Sequence, residues 1–167
     1  MSTLLDNRYQ IVRVLGSGGF GETFLAEDTK MPSSRYCVIK QLRPITDKPE
    51  VYQLVQQRFM REAAVLEELG ASCNQIPCLY ANFTEHEQFF LVQEWIEGPT
   101  LLEKVKSEGK QSEKFTRQIL IEVLQILDYV HSRGMIHRDI KPDNIILRDS
   151  DRLPVLIDFG AVKETVS

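Results

Sequence analysis

Short apolar runs broken by glycine and proline fill the first half of the chain, and a longer helical rhythm fills much of the second. Residues 9–15 (YQIVRVL) and 22–26 (ETFLA) are strand-like and flank a glycine run, and residues 36–40 (YCVIK) follow a Pro-Ser-Ser turn. Val55, Phe59, Glu62, Leu66 and Leu69 then recur at spacings of four, three, four and three, which places them on one helical face. The face is apolar except for one carboxylate. Residues 89–93 (FFLVQ) read as a buried strand, and Glu97-Gly98-Pro99 breaks it as the connection between two lobes. Thr100-Leu101-Leu102-Glu103 has the capping-box pattern that opens a helix. A long amphipathic helix over about 113–133 carries Phe115, Ile119, Val123, Leu127 and Val130 on its inner stripe, with Gly134 as its C-terminal cap. A polar loop, a short strand at 145–147, a turn at 149–151 and a strand at 155–157 complete the pattern. It predicts an α+β fold, a small β-rich lobe with one helix joined to the start of a helical lobe.

Composition narrows the class. A chain of 167 residues can bury one core or two small lobes, and its 43% hydrophobic and 26% charged residues are those of a soluble globular protein. A net charge of −4 gives no overall reason to bind nucleic acid or an anionic membrane. Residues 1–10 lack a basic segment followed by an apolar one, and no apolar run is long enough to span a bilayer, so the expected location is the cytoplasm. Cys37, Cys73 and Cys78 are an odd number without a zinc-spaced partner pair, and they are expected to be small buried hydrophobes.

The chemistry-bearing residues are spread along the chain. Gly16-Ser17-Gly18-Gly19-Phe20-Gly21 has GxGxxG spacing, but a strand follows it rather than a helix, which favours a hairpin lid over a dinucleotide site. Glycines there would let backbone N–H groups approach phosphate oxygens, although an ordinary flexible hairpin has the same sequence. Lys40 ends an apolar run, where a lysine is usually a solvated strand end. Glu62 shifts that reading, since a carboxylate on a packed stripe needs a cation. Its alternative partner is Arg58, one turn earlier. The loop His137-Arg138-Asp139-Ile140-Lys141-Pro142-Asp143-Asn144 holds an acid, a cation and an amide close together, and a two-strand turn would return Asp158 beside Asn144. A carboxylate and an amide oxygen suit Mg²⁺ arriving with nucleotide phosphates. His137 alone reads as a packed core histidine.

GSGGFG, CVIK, Glu62, HRDIKPDN and DFG occur in this order, and the chain thereby resembles a protein kinase. Lys141, two residues after the loop aspartate, resembles the serine/threonine class, and the general style is similar to bacterial eukaryotic-like kinases, especially cyanobacterial ones. The resemblance implies a kinase-like α+β fold: a small antiparallel sheet lobe with one helix over about 8–96, and the beginning of a mainly helical large lobe over about 97–167. It implies ATP with Mg²⁺, or Mn²⁺ in its place, and a protein substrate bearing serine or threonine. Residues Gly16 to Gly21 would cover the phosphates, with Leu15, Thr23 and Val38 lining the nucleotide site. Lys40 would hold the α- and β-phosphates and Glu62 would hold Lys40. Glu94 and Ile96 would offer backbone hydrogen bonds to adenine, and Gln93 would guard the inner pocket. Asp139 would orient or deprotonate the substrate hydroxyl, Lys141 would steady the γ-phosphate, and Asn144 and Asp158 would hold the metal.

Thr23 and Val38 depart from the family's usual valine and alanine while keeping a mostly apolar wall, so ATP binding is still expected. The resemblance covers only the N-terminal part of the family's domain and stops within the activation segment, so weak or absent activity is expected of the 167 residues alone. The helix bearing Phe115, Ile119, Val123 and Leu127 is then expected to expose an apolar patch open to a partner or to a second copy. An alternative is a non-catalytic nucleotide-binding or regulatory module that needs such a partner. Arg138 is a candidate receiver of a phosphate, with Thr165 and Ser167 as candidate phosphorylation sites.

Overall fold

The computed structural model describes residues 4–18, 21–44 and 48–165. It divides into two compact units: Met1–Ala64 with Cys78–Trp95, and Val65–Pro77 with Ile96–Ser167. The last boundary falls at Trp95/Ile96, next to the expected connection at Glu97-Gly98-Pro99, but Val65–Pro77 groups with the later residues rather than with the earlier ones.

The first unit is a five-stranded antiparallel sheet of β1 (Tyr9–Gly18), β2 (Gly21–Asp28), β3 (Arg35–Leu42), β4 (Leu79–Glu85) and β5 (Gln88–Glu94), in the order β1-β2-β3-β5-β4. Alternation along β3 sets its two faces. Cys37, Ile39 and Gln41 are buried on one side, and Val38 and Lys40 are half-buried on the other. The first side joins Tyr9, Ala26, Phe90 and Val92 in a continuous core. Helix α1 (Pro49–Gly70) opens with proline, whose missing N–H has no partner to lose in a first turn, and the Lys48 carbonyl accepts from the Val51 and Tyr52 amides. Within this unit, Phe59 and Tyr52 of α1 pack on Phe89 at ring-centroid distances of 5.3 and 5.1 Å.

Asp28, 1% exposed, closes the end of the sheet away from the glycine run. Its carboxylate accepts from Arg8 Nε and Nη2 at 2.7 and 2.8 Å and from the Lys30 amide at 3.2 Å. The Arg8 hydrogen bonds hold its pKa below the ordinary 3.8. A carboxylate whose pKa falls on folding contributes stability above its unfolded pKa and loses it as the pH drops. Asp28→Asn is therefore expected to cost about 1.5–3 kcal/mol at neutral pH in urea unfolding. The gap from the wild type should close as the pH falls below 3.8.

The second unit contains the C-terminal part of α1, α2 (Leu101–Glu108), α3 (Glu113–Ser132), β6 (Met135–Ile136), a 3₁₀ turn at Pro142–Asn144, β7 (Ile145–Leu147), β8 (Pro154–Leu156) and β9 (Lys163–Glu164). The capping box is formed: the Glu103 amide donates to Thr100 Oγ1 at 3.1 Å and the Thr100 amide to Glu103 Oε2 at 2.8 Å. Gly98 lies flat against β7, where an added Cβ would fall 1.9 Å from the Leu147 carbonyl oxygen. The loop after α1 is moored on the β7–β8 hairpin. Arg148 Nη1 donates to the Asn74 carbonyl at 2.6 Å and the Leu156 amide to the Gln75 carbonyl at 2.9 Å.

Two expectations are corrected. Ile119, Val123, Ile126 and Val130 of α3 are buried, while Phe115 and Leu127 are half-buried. This stripe faces the unit's own β6 and β8 rather than awaiting a partner. The apolar patch lies instead on Leu120, Ile121 and Leu124, which are 56, 51 and 54% exposed. Helix α3 is apolar over a wider arc than one stripe. Of the cysteines only Cys37 is fully buried, and burial pushes its thiol up to about 11; Cys73 and Cys78 are half-buried. Among the described residues no helix is long and apolar enough to cross a membrane.

Candidate active site

Each unit presents its own set of candidate residues. In the first, β2 pairs with β3 from Gly21↔Leu42 to Asp28↔Arg35, and β3 pairs with β5 from Cys37↔Glu94 to Leu42↔Phe89. Directly opposed residues of an antiparallel pair share a face. Thr23 opposes Lys40, and Val38 opposes Gln93, so these four stand on one side of the sheet. On that side Lys40 Nζ meets Glu62 Oε1 at 2.7 Å. Glu62 is 5% exposed, so the carboxylate read from its place on an apolar stripe is buried with a cation from the sheet. Arg58, the alternative partner, is exposed.

On either side of the glycine run β1 and β2 pair antiparallel, with Gly16 opposite Thr23, Ser17 opposite Glu22 and Gly18 opposite Gly21. Gly21 lies hard on β3, where a Cβ would sit 1.7 Å from the Gln41 carbonyl oxygen, so glycine is required there by close approach. Gly16 faces open space and Leu15 is exposed. Gly19 and Phe20 lie outside the described residues. The Glu94 amide donates to the Cys78 carbonyl at 2.9 Å and a Glu94 carboxylate oxygen accepts from the Cys78 amide at 3.1 Å, fixing the end of β5. Ile96, in the second unit, is buried.

The second unit gathers Asp139, Lys141, Asn144 and Asp158 around the β7–β8 hairpin. Ile145 opposes Leu156, and the Ile157 amide donates to the Asn144 carbonyl at 2.9 Å, so Asn144 and Asp158 leave adjacent strands side by side. The Asn144 side-chain amide donates to the Asp139 carbonyl at 2.9 Å and to its Oδ2 at 3.0 Å. Lys141 Nζ lies 3.4 Å from the same carboxylate oxygen. Asp139 is therefore held as an anion-shaped acceptor between an amide and an ammonium.

Both amide protons of Asn144 are spent on Asp139, which leaves Oδ1 as its acceptor. Together with the Asp158 carboxylate this makes two hard oxygen donors. Among the described residues no group of three or more His, Cys, Asp and Glu could cage a metal. Mg²⁺ does not need one, since it keeps several waters and takes other ligands from substrate phosphates. The donor set fits that ion.

Three features surround these residues; the first accords with the reading of His137 as a packed core histidine, and the other two leave no pattern in the sequence. His137 is buried against Phe159, ring centroids 4.8 Å apart at 78°. Its Nδ1 accepts from the Asp139 amide at 3.2 Å, so Nε2 carries the proton toward the Ile157 carbonyl at 3.0 Å. Burial holds its pKa below 6.5. The histidine is thus packed core that also fixes the loop's first turn. Arg138 Nε donates to the Ala161 carbonyl at 2.7 Å, and the Thr165 amide and hydroxyl both reach the Gly134 carbonyl, at 2.7 and 3.0 Å. Such long-range ties leave no periodic signal. Arg138 and Asp158 both adopt left-handed backbone, φ 66° and 61°, which is uncommon for residues with a Cβ and concentrates at functional loops.

Residues 9–167 match the family model described as protein kinase domain. The chain is 63% identical over 99% of its length to the serine/threonine-protein kinase PknA of Nostoc sp., covering 29% of that protein. It is 56% identical to serine/threonine-protein kinase C of Synechocystis sp. over 98% of this chain and 30% of that one, and 52% identical to kinase D of the same organism over 99% and 32%. The chain thus spans about a third or less of the length of these relatives. Taken with the order of its motifs and the placement of Lys40, Glu62, Asp139, Asn144 and Asp158, this match settles the family: the chain belongs to the protein kinase domain family.

Proposed function

We infer that this chain carries the ATP-binding and phosphoryl-transfer residues of a serine/threonine protein kinase. The observation that carries the reading is the fixed Asp139 carboxylate, held by Asn144 and Lys141 beside the Asn144–Asp158 oxygen pair. Asp139 orients the substrate hydroxyl and accepts its proton. Little covalent work is needed from the protein, because phosphoryl transfer depends on positioning and charge stabilisation. Lys40, kept in place by Glu62, neutralises the α- and β-phosphates, and Lys141 does the same for the γ-phosphate. Leu15, Thr23, Val38 and Gln93 border the nucleotide, with the glycine hairpin over its phosphates and the backbone of Glu94 and Ile96 meeting adenine. Asn144 and Asp158 would hold Mg²⁺, or Mn²⁺, which would supply positive charge against the phosphates. The names of the cyanobacterial relatives support serine and threonine as the acceptor residues.

The test is incubation of the purified chain with Mg²⁺, γ-labelled ATP and a generic protein substrate, followed by identification of the labelled amino acid. Weak label on serine or threonine is expected, and less of it with Asp139→Asn. Label confined to tyrosine, or transferred equally by Asp139→Asn, contradicts the reading. A second reading, a nucleotide-binding module completed by a partner or by another copy, is favoured by the exposed Leu120, Ile121 and Leu124. It predicts saturable Mg·ATP binding by calorimetry with no transfer.

A further inference from the structure

The Asp158 corner is held in place by residues well downstream of it. The left-handed backbone of Asp158, φ 61°, is eased by its own carboxylate accepting from the Gly160 amide and is further fixed by ties on both sides. Upstream, the Ile157 amide and carbonyl are tied to Asn144 and His137. Downstream, the Val162 amide turns back to the Phe159 carbonyl at 3.2 Å, and among the described residues β9 pairs with β6 through Met135↔Glu164 and Ile136↔Lys163. A ladder of two residue pairs is below the ordinary length of a strand and depends on what fastens its ends. Arg138 fastens the end nearer Asp158, through Ala161.

Thr165 fastens the other end. It directs two donors at one acceptor, the Gly134 carbonyl. Gly134 suits this approach, since its φ of +70° ends α3 and an added Cβ would stand 3.3 Å from Thr165 Oγ1. We propose that Thr165 is a positioning residue for the metal corner: its hydroxyl and amide latch β9 to the end of α3, and the latched strand holds Asp158 in its left-handed conformation. The inference rests on the reading of Asp158 as a Mg²⁺ ligand.

Valine has threonine's shape without the donor, and serine keeps the donor. The experiment measures ATP binding by the wild-type chain, Thr165→Val and Thr165→Ser across a Mg²⁺ series, with amide hydrogen exchange over residues 162–165. The Val variant should need about threefold to tenfold more Mg²⁺ for half-saturation, the fold-change worth of one ordinary hydrogen bond, and exchange faster over those residues, with Ser at the wild-type value. A merely structural role would lower thermal stability in the Val variant without moving its Mg²⁺ requirement. An unchanged requirement in the Val variant, or a failure of Ser to restore it, overturns the proposal. Wild-type chain that binds ATP with no response to Mg²⁺ overturns the Asp158 assignment itself, and this inference with it.

Discussion

Asp158→Asn should raise the Mg²⁺ concentration needed for nucleotide binding by about 100-fold or more. Even loss of an outer partner of a metal ligand costs about 10- to 100-fold in affinity, and here the change strips the charge from one of the two protein ligands, leaving a neutral amide oxygen in place of a carboxylate. The substitution is close to isosteric, so the left-handed turn is retained, and an asparagine can still accept from the Gly160 amide as Asp158 Oδ1 does at 3.2 Å. What is lost is the anion. Asn144 cannot compensate, because its amide protons are committed to Asp139 and its oxygen is neutral. A calorimetric titration of ATP at several Mg²⁺ concentrations reads the effect. Equal Mg²⁺ dependence in the two proteins would remove Asp158 from the metal site.

Asp139→Asn should act on a different quantity. A positioned base contributes about 100- to 10,000-fold to a proton-transfer step, so transfer should fall by that range. Binding of Mg·ATP should change little, because an asparagine oxygen and the unchanged backbone carbonyl at 139 can still accept from the Asn144 amide. An introduced amide would also meet Lys141 Nζ without the charge attraction present at 3.4 Å. Lys141 should then become more mobile, which adds to the loss of rate rather than to a loss of affinity. The two aspartates thus divide the work, and the two variants should separate it.

Much of this arrangement is legible in the chain itself. Glu62 announces its ion pair by standing on an apolar stripe, and the Thr100–Glu103 cap follows from two residue types at the right spacing. The Asn144–Asp158 neighbourhood follows from two short strands around a turn. Other parts leave no such trace. Strands β6 and β9 have two residues each, too few for any period to show. The Arg8–Asp28 pair, the Arg138–Ala161 bond and the Thr165 latch join residues about twenty or more positions apart through single polar groups. The α3 misreading has another cause. Two apolar stripes share that helix, and only packing against β6 and β8 decides that Ile119 and Val123 turn inward while Leu120 and Leu124 stay out.

The most direct test is a single-turnover comparison of wild type and Asp139→Asn, each loaded with Mg²⁺ and γ-labelled ATP and mixed with excess protein substrate. The wild type should move label to serine or threonine, and the variant should hold the nucleotide with comparable affinity while transferring at least about 100-fold more slowly. Equal transfer by the two proteins would contradict the assignment of Asp139 and, with it, the reading of this loop as the centre of the chemistry.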